Sequence, residues 1–108
     1  MAPGPDWNYG LWKWRDVYVN EFEVYEDASM MRSLDMPATG IIIDSPWSSK
    51  HVSFDFNAKQ FPNGKQFLDN LHKQGYKPVF WLVPFINPSA ANFAEADASG
   101  YFVKGEDG

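Results

Sequence analysis

Gly40-Ile41-Ile42-Ile43-Asp44-Ser45-Pro46-Trp47 decides the architecture. Three consecutive isoleucines with no polar alternation suit a strand covered on both faces, the position of strands in parallel sheets. The run stops at an ionisable residue, then a proline. In parallel α/β folds, functional groups collect at the carboxyl ends of strands. Asp44 therefore marks a boundary between core and cleft. A carboxylate placed there must find hydrogen-bond partners. It would serve as a loop anchor or helix cap in a purely structural role, and as an acceptor for hydroxyl groups in a binding role.

Working outward, the same grammar recurs on both sides. Tyr9 to Trp14 reads as an aromatic-rich strand, ending at Arg15-Asp16. Asn20 can cap a helix, with Glu23 in the capping-box position. Val24, Ala28, Met31 and Leu34 then share one face, and the helix must stop before Pro37. Downstream, Asn63 and Gln66 open a second helix, whose apolar face is Phe67, Leu68 and Leu71. Gly75 suits the left-handed position just past its end. Val79 to Val83 reads as a third strand, stopped by Pro84. Asn87-Pro88-Ser89 can start a third helix, and Gly100 to Lys104 reads as a short strand or hairpin arm. The β-α-β-α-β-α order predicts about three parallel strands in sequential order, with right-handed crossovers and helices on one side.

Composition narrows the function classes. A hydrophobic fraction of 44% and a charged fraction of 21% fit a folded globular chain. The net charge of −5, with no Lys/Arg cluster, argues against a nucleic-acid partner. No apolar run is long enough to span a bilayer, so no membrane partner is expected. The first residues, Met1-Ala2-Pro3-Gly4-Pro5, lack the regions of a signal peptide, and no compartment can be read. Cysteine is absent, which excludes disulfides and thiolate metal sites. His51 and His72 have no metal-ligand partner at helical spacing, so no metal is expected. There is no Gly-rich phosphate loop and no G-x-S-x-G setting for Ser45, Ser48 or Ser49, and no cofactor is implied. Asp6, Asp16, Asp44 and Asp55 offer carboxylates without a spacing that singles out an acid/base pair.

Aromatic residues reach 18%, including five tryptophans; such side chains serve cores first and also stack on the apolar faces of sugar rings, and composition does not separate the two uses. Trp47 follows Asp44 closely and could line the same cleft, although packing as a core residue is the commoner use of a lone tryptophan. Trp81 falls within the third strand, as core or as pocket floor. Trp12 and Trp14 point to one face of the first strand and read as packing.

Several of these stretches, taken in order, resemble glycoside hydrolase family 31, the α-glucosidase and α-xylosidase family. They are Gly10-Leu11-Trp12, Ile41 to Trp47, Phe54-Asp55-Phe56-Asn57 with Phe61-Pro62, Leu71-His72 with Gly75, Lys77 to Asn87, and Gly100 to Lys104 with Gly108. The resemblance covers nearly the whole chain. It implies that residues 1–108 are the N-terminal portion of a (β/α)8 catalytic barrel, which typically needs about 250 residues. It implies a retaining glycoside hydrolase acting on α-linked glucosides or xylosides, with a carbohydrate substrate. Asp44, Trp47 and Trp81 would be substrate-binding residues. The nucleophile and acid/base follow the fourth and sixth strands in the family, so no catalytic residue is expected in this chain, and the chain alone would be inactive. The remainder of the barrel would cover the open sheet edges. Pro46 departs from the family pattern, where an aromatic or acidic residue is common. Two other readings stay open: a non-catalytic carbohydrate-binding module, and an unrelated α/β domain whose aromatics are all core.

Overall fold

The computed structural model describes residues 3–18 and 20–106. A 3-10 turn, Asp6–Tyr9, leads into strand β1, Leu11–Arg15. Then follow helix α1, Glu21–Ser33, strand β2, Ala38–Ile43, and helix α2, Gly64–Lys73. Strand β3, Lys77–Phe80, and helix α3, Phe93–Ala98, complete the order. The strands form one parallel sheet in the order β1-β2-β3, as the alternating pattern predicts.

Register divides the sheet into two faces. Lys13, Ile41 and Pro78 align, as do Arg15, Ile43 and Phe80. This face meets the helices. Ile41 and Ile43 are fully buried against Val24 and Ala28 of α1 and Phe67 and Leu71 of α2. Full burial of each such aliphatic or aromatic side chain contributes about 1.5–3 kcal/mol. Tyr76 locks the layers, donating its hydroxyl to the Ala28 carbonyl at 2.8 Å. The Arg32 guanidinium lies over the Tyr76 ring, 4.0 Å from its centroid, and Nε reaches the Gln74 carbonyl. Trp12 aligns with Gly40, and Trp14 with Ile42 and Val79, on the opposite face.

Capping follows local chemistry closely. Asn20 Oδ1 accepts from the N–H groups of Phe22 and Glu23, and Asn63 Oδ1 from that of Gln66. Gly75 takes φ +82° and closes α2: its own N–H reaches His72, and the N–H of Tyr76 reaches Leu71. Helix α1 closes the same way on Asp35, at φ +53°. That turn carries Leu34 outward, where it is 63% exposed, so Leu34 does not share the buried face expected of it. The buried fourth position belongs to Asp27, which the sequence pattern did not single out.

Several element boundaries differ from the sequence reading. Tyr9 belongs to the turn after Pro5 and not to β1, because Asn8 N–H bonds back to the Pro5 carbonyl. Strand β3 ends at Phe80, since β2 ends at Ile43 and residues 82–83 have no β2 residue left to pair with. Asn87 does not cap a helix. Its Oδ1 accepts from the backbone N–H and hydroxyl of Ser89, a local turn that competes with helix, and α3 begins later. Residues 101–104 form no strand. They run on from the α3 cap at Gly100, φ +71°, with Phe102 packed on Phe93.

Candidate functional site

The site is built at the carboxyl end of the sheet. Asp44 follows β2, the central strand, and the residue is partly buried. Oδ1 accepts from the backbone N–H of Ser45 at 2.6 Å. Oδ2 accepts from the indole Nε1–H of Trp14 at 2.7 Å. By strand alternation alone Trp14 reads, with Trp12, as packing. Trp12 does pack, tilted against Trp7 and over Gly40. Trp14 instead stands 52% exposed, with its N–H on Asp44. Alternation along β1 was the available signal: it puts residues 12 and 14 on the face of the sheet that also carries the strand-end carboxylate.

Trp81 lies one position past β3, beside the point where Asp44 leaves β2. Its N–H donates to the Ile43 carbonyl at 3.0 Å, the last bond of the ladder. Its ring is half-buried and tilted against His51, which also meets Phe85 edge-on. Trp47 is in the core, 7% exposed, between Phe56 and Phe80. It touches the site through its indole N–H, which donates to the Trp81 carbonyl at 2.8 Å. The three sequence-predicted residues thus gather around one strand end, Asp44 and Trp81 partly open and Trp47 beneath them.

The loop after β2 forms the rim. A cis peptide joins Ser45 to Pro46. Ser48 and Phe56 form an isolated antiparallel bridge that closes the loop on itself. Within it, the Ser53 and Ser49 hydroxyls hold the Asp55 carboxyl below its ordinary range. Val52 is held at φ +54°, a strained conformation for a β-branched residue. Its carbonyl accepts from the Asn92 side-chain amide at 2.8 Å, and the His51 carbonyl accepts from Asn87 N–H, so the rim is tied to the segment after β3. An open cavity of about 220 Å³ lies between Ser45, Ser48, Lys50, His51 and Asn87. Asp16 sits exposed just past β1.

Beneath β1 lies a second polar cluster. Asp27 accepts from Arg15 at 2.6 and 3.1 Å, from the Tyr18 hydroxyl, and pairs with Lys13 at 3.0 Å. It faces the helix layer and ties α1 to β1. Among the described residues, no three His, Cys, Asp or Glu side chains group as metal ligands. No described helix is long and apolar enough to cross a membrane.

The chain and its fold have counterparts among known proteins. The chain is 28% identical over 112 residues to an α-xylosidase of Emericella nidulans, covering 96% of this chain and 14% of that protein. A myogenesis-regulating glycosidase of Mus musculus is 24% identical over 100 residues, with 93% and 14% covered. Among solved structures, a family 31 dextranase of Flavobacterium johnsoniae in complex with glucose superimposes with a TM-score of 0.83 at 29% identity, over 93% of this chain and 12% of its own. An α-xylosidase from a soil metagenome, complexed with xylose, gives a TM-score of 0.86 at 24% identity and supports the fold, over 96% of this chain and 15% of its own. The chain therefore spans about a seventh of the length of these relatives. The family model described as the glycosyl hydrolases family 31 TIM-barrel domain matches residues 1–108. The chain belongs to glycoside hydrolase family 31, and its three strands are part of that family's TIM barrel.

Proposed function

We propose that this chain is the N-terminal portion of the catalytic barrel of a retaining glycoside hydrolase acting on α-linked glucosides or xylosides. Asp44 holds the sugar in this reading and does not attack it. One observation carries it: a partly buried aspartate at the end of the central strand, bonded to Trp14 on the same sheet face and beside Trp81. Such a group orients a ring through hydrogen bonds from its hydroxyls, which tighten in the transition state. Trp81 supplies pocket wall, and Trp47 supports it from below through the bond to its carbonyl. The names of relatives, α-xylosidase and a dextranase holding glucose, support a carbohydrate substrate.

Retaining hydrolysis needs two carboxyl groups about 5–5.5 Å apart, one attacking the anomeric carbon and one protonating the leaving oxygen. In this reading both come from barrel strands outside the chain. Those strands also cover the exposed face that carries Trp14 and Val79.

The test is made in the complete enzyme. A charged acceptor bonded to a hydroxyl typically contributes about 1.5–3 kcal/mol. Asp44→Asn should therefore lower kcat/KM by roughly one to two orders of magnitude. Azide should not restore the rate, since an external nucleophile replaces only a lost nucleophile or acid/base. A fluorinated glycoside should label a carboxylate outside this chain, located by mass spectrometry. A label on Asp44 would overturn the assigned role. Residues 1–108 alone should release nothing from aryl α-glucosides or α-xylosides above the blank.

A further inference from the structure

We propose that Trp14 is a positioning residue for Asp44: its indole N–H fixes the plane of the carboxylate so that each oxygen presents one free acceptor site to the sugar. The inference rests on the reading of Asp44 as the sugar's hydrogen-bond acceptor. A carboxylate has two oxygens and about four acceptor sites. Here each oxygen already takes one protein donor, Ser45 N–H on Oδ1 at 2.6 Å and Trp14 Nε1–H on Oδ2 at 2.7 Å. Among the described residues, that leaves one site per oxygen. Two donors that can reach both oxygens of one carboxylate describe adjacent hydroxyls of a pyranose ring.

The Ser45 bond alone cannot set this geometry. It comes from the next residue of the chain and leaves the carboxylate free to turn about its Cβ–Cγ bond. Trp14 supplies the second fixed point from another strand. Its own position is set by β1, where it is held in register with Ile42 by the parallel ladder. Trp12, packed between Trp7 and Gly40, anchors the same strand. The Trp14–Asp44 bond lies at an exposed place, where water could replace it at little cost to folding. Its effect is therefore on orientation more than on stability.

The test uses the complete enzyme and an aryl α-xyloside or α-glucoside. Trp14→Phe keeps an aromatic ring and removes the N–H. Its kcat/KM should fall about 5- to 30-fold, mostly in kcat, because bonds that tighten in the transition state are the ones lost. The thermal midpoint should move by no more than about 2 °C. In an Asp44→Asn background the same change should cost less than about twofold, since the two residues act as one unit. If Asp44→Asn has wild-type kinetics, the sugar-holding reading itself fails. If Asp44→Asn is impaired and Trp14→Phe is not, only the present proposal fails. Losses that multiply in the double variant also overturn it. Should Trp14→Phe fold poorly, a benzothienylalanine at position 14, which keeps the bicyclic shape without an N–H, decides the matter on the same terms.

Discussion

The indole N–H of Trp47 donates to the main-chain carbonyl of Trp81 at 2.8 Å, so a core side chain in the loop after β2 sets the backbone at the end of β3. Trp47→Phe should leave that carbonyl without its partner and cost about 1–2 kcal/mol. Trp47→Ala removes the packing on Phe56 and Phe80 as well and should cost roughly 3–5 kcal/mol. Denaturant midpoints measure both. In the complete enzyme, kcat/KM should fall with Trp47→Phe even at temperatures where the protein is fully folded, because Trp81 is no longer held. An unchanged kcat/KM would show that Trp47 serves the core only.

Asp27 should make stability sensitive to acid. Burial alone would raise its carboxyl, but the hydrogen bonds from Arg15, Lys13 and Tyr18 outweigh that and hold it below its ordinary 3.8. A carboxyl depressed on folding contributes stability that is present above the unfolded value and is lost as pH falls through the folded value. Asp27→Asn should cost roughly 2 kcal/mol at neutral pH, less than a fully buried pair because Arg15 and Lys13 remain partly exposed. The gap to the native protein should narrow below about pH 4. Melting curves across pH test this, and a gap that widens in acid would contradict the pairing.

Gly40 is required by its neighbour across the sheet. A Cβ on Gly40 would lie 2.4 Å from the Trp12 ring. Gly40→Ala should therefore destabilise by about 1–3 kcal/mol, as overpacking does. Trp12→Leu in the same chain should recover part of the loss. If the alanine variant melts like the parent, the close contact is not a constraint.

The two asparagine caps make a graded pair. Asn20→Ala and Asn63→Ala should each cost about 0.5–2 kcal/mol, and the glycine variants only a few tenths. Chemical denaturation reads both series. Alanine and glycine variants of equal stability would mean that the side-chain oxygens carry no capping energy.

Much of this was legible before folding, because it depends on near neighbours in the chain. The isoleucine run of β2 announced a buried strand, and Asn20, Asn63 and Gly75 announced helix ends through bonds that span only a turn. The failures had two sources, a rival local turn at Asn87 and the reach of a distant segment elsewhere. Asn87 could cap a helix by composition, yet its side chain closes a turn on Ser89. Val83 is a good strand residue, yet β2 has already ended. Nothing in the helix pattern singles out Asp27, and only the position of β1 brings Arg15 and Lys13 to it.

The candidate site divides in the same way. By itself the sequence determined that Asp44 would stand at a strand end, because an ionisable residue cannot continue a buried apolar strand. It also determined the parallel α/β order and carried the pattern of the family. Tertiary structure alone decided what surrounds that carboxylate. Trp14 reaches Asp44 because two strands far apart in sequence lie side by side in one register, and Trp47 turns into the core because Phe56 and Phe80 leave it a slot there. Periodicity says which face a residue occupies; only the pairing of strands says which residues share it.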